Sequence, residues 1–327
     1  MNPSPSTELW DVIVIGGGPA GLSAALLLGR CRRRVLVFDD GRPRNARSHA
    51  AHGVFTRDGE SPAELRRIAR AQLDPYGVCV RDETVAHVDR RSAGGFELTT
   101  ESGQHHRAKK LLLATGITDI LPDIPGLQAI YGSSAFHCPY CDGWEVSDRR
   151  IAVLARGAVG VEYALGITTW SRDVVLCTHG AGRISTGDRS KLRAHGIAVH
   201  SQRIRELVHD AGQLQRIAFE DGVTIERDAL FFNAPSPQRS QLAQRLGCLF
   251  TEKGAVKTGR LASTGGGLYV AGDAAREVHF VSVAAAEGLK AAFAINRELR
   301  QERSAELLNE QVAREGTREA ARRPASP

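Results

Sequence analysis

The sequence predicts an α/β fold: two Rossmann-like dinucleotide-binding domains, the second inserted in the first. Three observations carry that reading. A glycine-rich turn, Gly16-Gly17-Gly18-Pro19-Ala20-Gly21, lies between an apolar run and a helical pattern. A weaker copy of the same strand–turn–helix arrangement starts at Ile151. A third apolar run, Leu268-Tyr269-Val270-Ala271, closes on Gly272-Asp273 near the end of the chain. With 327 residues the chain is long enough for two cores, and 42% hydrophobic and 24% charged residues describe a globular protein.

In the first element, Asp11 to Ile15 reads as a buried parallel strand and Leu22 to Leu28 as a helix. Gly16 makes the tight turn, Gly18 lets the backbone approach a pyrophosphate, and Gly21 lets the helix pack closely on the strand. Pro19 and Ala20 occupy the helix start, where free N–H groups and the positive end of the helix dipole suit phosphates. Val35 to Phe38 is the second strand. It ends in Asp39 and Asp40, where an acid binds adenosine ribose hydroxyls. The plainer alternative is a tight strand–helix turn with no ligand.

Arg42 to Asp58 reads as a long loop, a kind of segment that often serves function. Its His49 and His52 each read as surface groups. Ser61 opens a helix with Pro62 and Glu64 in its first turn. Short strands follow at Val78 to Val80, Val85 to Val88 and Phe96 to Thr99. His105, His106, Lys109 and Lys110 form a charged stretch with no assigned chemistry. Leu111 to Leu113 is a buried strand ending in Ala114-Thr115-Gly116. Residues 117 to 136, with Pro122, Pro125 and Gly126, read as a crossover.

Cys138 and Cys141 follow, in His137-Cys138-Pro139-Tyr140-Cys141-Asp142-Gly143-Trp144. At the start of a helix their sulfurs lie on adjoining turns, and so small a ring cycles between dithiol and disulfide. The helix start would also favour one thiolate. Zinc would need four ligands, and Cys31, Cys79, Cys177 and Cys248 are scattered singly, so no metal is expected. A structural brace is the other alternative, although so short a loop contributes little chain entropy.

In the second unit Ile151 to Leu154 is the strand, Ala155 to Gly160 the turn, Val161 to Thr169 the helix and Val174 to Thr178 the next strand. Ala155 stands where the first glycine belongs. Strands near Ala198, Ile217 to Phe219 and Leu230 to Asn233 are expected to complete that sheet. A helix from about Val283 to Leu299 follows Gly272-Asp273. The expected boundaries are 1–118 and 244–300 for the split domain and 119–243 for the inserted one. Residues 301–327 are read as a charged tail that frays or stays partly disordered. Net charge is +6, with scattered arginines and no aromatic-interleaved basic face, so nucleic acid is not an expected partner. No apolar run reaches membrane-spanning length and Met1 to Trp10 lacks a leader pattern, so a cytoplasmic location is expected.

The Gly16 to Gly21 turn, Ala114-Thr115-Gly116, the Cys138–Cys141 segment with Asp142, and Gly272-Asp273 resemble, in order and spacing, the low-molecular-weight thioredoxin reductases. The resemblance covers residues 10 to about 300. It implies a thioredoxin reductase-like fold, FAD in the split domain and a redox disulfide in the inserted one. Asp273 would bond the ribityl chain, and the next helix, starting near Val281, would point at the flavin. Arg44 and Asn45 are placed with the cofactor on the same basis. The chain departs from the reductases at three places. Ala155 breaks the second turn, Arg183 stands alone where the 2′-phosphate clamp belongs, and His279-Phe280-Val281-Ser282 replaces Arg-Gln-Ala. With these departures it resembles the flavin-dependent dithiol oxidases that close disulfides in small natural products, such as the holomycin and gliotoxin enzymes.

That resemblance implies a small-molecule dithiol substrate, O2 as acceptor and H2O2 as product. Cys138 would exchange with substrate and Cys141 would contact the flavin. Asp142 would be the base, and His279 either a proton shuttle or a packing residue. A homodimer is carried over from the family. An NADPH-dependent thioredoxin reductase, with thioredoxin as partner, and a non-catalytic redox sensor remain as alternatives.

Overall fold

The computed structural model describes residues 8–180 and 182–322. Met1 to Thr7, Ala181 of the second nucleotide loop and the last five residues of the tail lie outside the described residues. The described chain forms two units, one of residues up to 42, 66–116 and from 238 onward, the other of 43–65 and 117–237.

In the first unit Leu9–Ile15 is the central strand. It runs parallel to Val35–Phe38 on one side and to His105–Leu113 on the other. Cys79–Arg81 and Leu268–Val270 extend the two sides, and Ser263–Gly265 closes one edge antiparallel. Val12 and Val14 face one core with the helix Pro19–Arg30, whereas Ile13 and Ile15 face the other with Phe96 and Leu98. Both sheet faces are covered, so the strand reads as an unbroken apolar run. Phe96 and Leu98 come from an antiparallel pair, Val85–Arg90 with Phe96–Thr100, attached to His105–Leu113.

The last helix, Val281–Arg322, crosses Pro19–Arg30 at Gly288, where a Cβ would lie 2.0 Å from the Ala20 carbonyl oxygen. It also corrects the expected frayed tail, because it runs unbroken through residue 300 to the last described residue. Lys110, almost fully buried in its strand, needs charged partners and finds Glu298 and Glu302 one turn apart. The Tyr269 hydroxyl donates to Glu298 as well. Farther along, Arg303–Glu306 at 3.1 Å and Gln311–Glu315 at 3.0 Å supply the side-chain pairs that support an exposed helix. That strand begins at His105 rather than at Leu111 because its first half pairs with Leu9 and Trp10 on one side and with Phe96 to Thr99 on the other.

The second unit holds a parallel sheet in the order Ala198–His200, Val174–Cys177, Ile151–Leu154, Ala229–Phe232, Ala135–Phe136. The helix Gly157–Ile167 packs on it through Val161, Ala164 and Ile167. Ile217 to Phe219, expected in this sheet, instead belong to Gln213–Phe219, the middle strand of a separate antiparallel sheet with Ile204–Asp210 and Thr224–Glu226. The reason is local. Ala211 and Gly212, at φ 46° and 84°, make the two-residue turn that folds one strand straight back on the other. Among the described residues no helix is long and apolar enough to cross a membrane.

Candidate active site

The cradle of the first unit is built from the turn after Leu9–Ile15. Gly16 has φ +113°, and a Cβ there would meet the Ala114 carbonyl oxygen at 2.2 Å. At Gly21 a Cβ would lie 1.8 Å from the Gly16 oxygen, so only glycine lets the helix seat on the turn. Gly18 differs: nothing lies within 4 Å of its Cβ position, and as helix N-cap it carries no side-chain cap. An open face beside uncapped N–H groups is the arrangement an anionic phosphate needs. Pro19 and Ala20 open the helix, and Gly272 approaches them, its Cβ position 2.9 Å from that of Ala20.

Beside this turn lies a cavity of about 430 Å³ lined by Gly16, Asp40, Thr115, Arg239 and Arg245 among others. Burial would raise the Asp40 carboxyl, but the Arg42 N–H and Arg239, 2.9 Å away, outweigh it and keep it below its ordinary range. Asp39 does not line the cavity. Its carboxylate sits against Gly17 and binds Arg66 at 2.5 Å. Gly116, at φ +66°, follows Thr115 at the strand end. Asp273 lies in a single 3-10 turn, and Val281 is the first residue of the long helix. His279 precedes that helix with Nε2 2.9 Å from the Arg276 carbonyl oxygen.

The second unit carries the disulfide. Cys138 and Cys141 are bonded, with Cα atoms 5.3 Å apart, while Cys31, Cys79, Cys177 and Cys248 are free. Cys138 is the N-cap of the one-turn helix Pro139–Asp142, whose first-position proline needs no N–H partner. Gly143 ends the turn against Trp170, whose ring carbons lie 2.7 and 2.8 Å from the Gly143 Cβ position. Behind Cys138, the Tyr163 hydroxyl donates to the His137 carbonyl at 3.0 Å.

Arg44 lies in the loop that follows Asp40. It belongs to the second unit, and its guanidinium forks onto Asp119 at 2.8 and 2.7 Å. Its terminal nitrogen also lies 3.1 Å from His137 Nε2. Arginine has no acceptor, so that ring nitrogen accepts. Tyr131 and Ser236 donate to Asp119 too. Burial alone would raise Asp119, but the hydrogen bonds and charge of Arg44 and the Ser236 hydroxyl hold it well below the carboxylate range. Asn45 follows in the same loop, its carbonyl accepting from the Ser48 N–H at 3.1 Å.

Asp142 is the carboxyl next to the disulfide. Burial pushes its pKa up to about 7, with Glu145 pushing the same way and His52 pulling back. The group is therefore poised to take and give a proton near neutrality. The Ala51–Glu60 bridge folds the loop that carries His52, whose Nε2 stands 3.2 Å from Glu145 Oε1, a contact that the sequence did not signal.

The second nucleotide turn keeps glycine at its second and third positions, Gly157 and Gly160, and replaces the first by Ala155. At Gly160 a Cβ would meet the Ala155 carbonyl carbon at 2.8 Å, so close helix packing is retained. Arg156 turns back and donates to the Thr178 and His179 carbonyls at 3.0 and 2.7 Å. Gly182 then passes close to the helix start, its Cβ position 3.4 Å from the Gly157 nitrogen. Arg183, the lone arginine of the segment, follows it.

A two-unit chain with a dinucleotide cradle and a Cys-x-x-Cys disulfide defines a class of flavin-linked disulfide enzymes. The chain belongs to the pyridine nucleotide-disulphide oxidoreductase family, which it matches over residues 10–288. It is 37% identical to the thioredoxin reductase tcpT of Claviceps purpurea over 265 residues, 77% of this chain and 82% of that protein. The thioredoxin reductase sirT of Leptosphaeria maculans is 29% identical, over 88% of this chain and 94% of that one. Among solved structures, HlmI is 33% identical with TM-score 0.90, covering 95% of this chain and 99% of that one. An oxidoreductase from Agrobacterium tumefaciens is 33% identical with TM-score 0.83, covering 89% and 99%. The protein is a thioredoxin reductase-like enzyme, and its cofactor is FAD. The cradle fits that group, with open space at Gly18 for a pyrophosphate and a cavity at Asp40 for an adenosine.

Proposed function

We propose that this enzyme is a dithiol oxidase, closing an intramolecular disulfide in a small-molecule dithiol with O2 as acceptor and H2O2 as product. The observation that carries the reading is the second nucleotide turn, where Ala155 replaces the first glycine and Arg156 is committed to the Thr178 and His179 carbonyls instead of facing a phosphate. Electrons then enter from a dithiol. A substrate thiol gives its proton to Asp142, and the thiolate attacks one sulfur of the Cys138–Cys141 disulfide. The second substrate thiolate attacks the sulfur of its own mixed disulfide, closing the product ring and releasing the enzyme dithiol. FAD, when bound, supplies a two-electron acceptor that dioxygen can reoxidise. Cys138, at the N-cap, is assigned to exchange with substrate and Cys141 to pass the electrons on.

The names of the relatives favour a second reading, an NADPH-dependent reductase acting on thioredoxin. One experiment separates the two. The purified yellow protein is mixed anaerobically with NADPH or with dithiothreitol, and air is then admitted. The oxidase reading expects bleaching by the dithiol, reversal in air with peroxide released, and slow reduction by NADPH. Reduction by NADPH as fast as by the dithiol would restore the reductase. Family likeness also supports a homodimer, which sedimentation at micromolar concentration tests.

A further inference from the structure

The sheet strand Ala135–Phe136 ends just before the disulfide, and the one-turn helix starts at Pro139. His137 and Cys138 lie between the two elements, so the placing of His137 sets where Cys138 begins. The second unit grips His137 from two directions. Its carbonyl accepts from the Tyr163 hydroxyl at 3.0 Å. Its imidazole joins a set of hydrogen bonds that run in one sense and close on themselves. Arg44 can only donate, so His137 Nε2, 3.1 Å away, accepts and the imidazole is neutral with its proton on Nδ1. Nδ1 then donates to the Tyr131 oxygen at 3.4 Å. The Tyr131 hydroxyl donates to Asp119 Oδ2 at 3.1 Å. Asp119 takes both arms of the Arg44 fork, at 2.8 and 2.7 Å, which completes the circuit. The members are also fixed from outside it. The Asp119 side chain is only 4% exposed, and the Tyr131 ring packs on Phe232 with centroids 5.8 Å apart. Burial and the charge of Asp119 hold Tyr131 protonated, well above its ordinary range. The loop that carries Arg44 is seated by backbone contact. Gly132 has φ +85°, and a Cβ there would lie 2.7 Å from the Arg47 carbonyl oxygen. Arg47 in turn donates to the Gln128 carbonyl at 3.1 Å.

We propose that Arg44, Asp119, Tyr131 and His137 form a positioning circuit that holds Cys138 within reach of Cys141 and so favours the disulfide over the dithiol. The four side chains touch neither sulfur by this assignment. They act through the backbone of His137, which is bonded directly to Cys138. A pair of thiols closes a disulfide in proportion to the effective concentration of one sulfur at the other, and that concentration falls when either backbone is loosened. A closed, buried circuit of this kind acts as a unit, because each bond aligns the next. The inference concerns the disulfide alone, so it holds whether electrons arrive from a small dithiol or from NADPH.

The test equilibrates the full holoenzyme anaerobically with reduced and oxidised dithiothreitol in varied ratio. Dithiothreitol closes its own ring and passes two electrons and two protons to the Cys138–Cys141 bond, which becomes two thiols. Samples are acid-quenched and alkylated, and mass spectrometry of the Cys138–Cys141 peptide counts its thiols, a readout that does not depend on turnover. Tyr131→Phe opens the circuit and keeps the packing on Phe232. Arg44→Lys keeps the charge and loses the fork. Each should shift the equilibrium toward the dithiol by about tenfold, or about 30 mV for a two-electron couple. Because both changes open one circuit, the double variant should lie within about twofold of either single one. Ser236→Ala removes a bond to Asp119 that lies outside the circuit, and should stay within about twofold of the unaltered protein. An unmoved equilibrium in Tyr131→Phe would overturn the proposal. So would shifts that add in the double variant, or a shift of equal size in Ser236→Ala. Should Arg44→Lys lower the unfolding midpoint, Tyr131→Phe against Ser236→Ala decides alone.

Discussion

The two nucleotide turns of this chain share a sequence pattern and differ in what surrounds it. In the first, Gly16 and Gly21 are required by backbone contacts, and Gly18 faces open space beside a cavity. In the second, Gly160 is still required for packing, but Ala155 replaces the first glycine and Arg156 turns onto the carbonyls of Thr178 and His179. The last glycine is thus the position where both turns need the helix to pack closely on what precedes it. The second unit keeps the scaffold and presents a disulfide on it.

The largest effect should come from Gly18→Asp. Aspartate is a favourable N-cap and nothing crowds its Cβ, so the fold should hold while the new carboxylate repels the pyrophosphate. Flavin absorbance per protein should fall by about tenfold or more, with the unfolding midpoint of the apoprotein unchanged. Retention of full flavin would mean that the first turn is not the cradle.

Asp142→Asn should slow dithiol exchange at neutral pH by about tenfold and flatten its pH profile through about 7. Its effect on stability has the opposite sign. A carboxyl whose folded pKa is raised binds more protons folded than unfolded, so stability falls as pH rises from the ordinary carboxylate range through about 7. Above that range the asparagine variant should be the more stable, by roughly 1–3 kcal/mol in urea titrations. A variant that is less stable at alkaline pH would show that Asp142 is held ionised.

Arg156→Ala sharpens the comparison at the second turn. Losing two bonds to the Thr178 and His179 carbonyls should cost about 1–2 kcal/mol. Ala155 still breaks the turn, so anaerobic reduction by NADPH should stay well below reduction by a dithiol. A rate matching the dithiol would mean that Arg156 alone was the plug. The smallest effect is expected from Gly157→Asp, the same change at the equivalent position. Aspartate tolerates φ +59° at a cost of about 1 kcal/mol, and flavin content and dithiol turnover should stay within about twofold.

The sequence by itself determined the parts governed by local pattern. The Gly16 to Gly21 turn, the apolar strands at Val12 and Leu111, and the bonded Cys138–Cys141 pair were all legible, because strand period, turn sterics and a three-residue spacing are properties of neighbouring residues. Only the tertiary structure decided the rest. Lys110 and Glu302 lie far apart in sequence, so charge composition pointed to a frayed tail where ion pairs to a buried lysine anchor a helix. Arg44 went to Asp119, and His52 to Glu145, through a loop without periodicity. Even the acid beside the disulfide was legible only as an aspartate. Its place near neutrality comes chiefly from desolvation, to which Glu145 three residues on adds, and desolvation is set by packing that no spacing in the chain records.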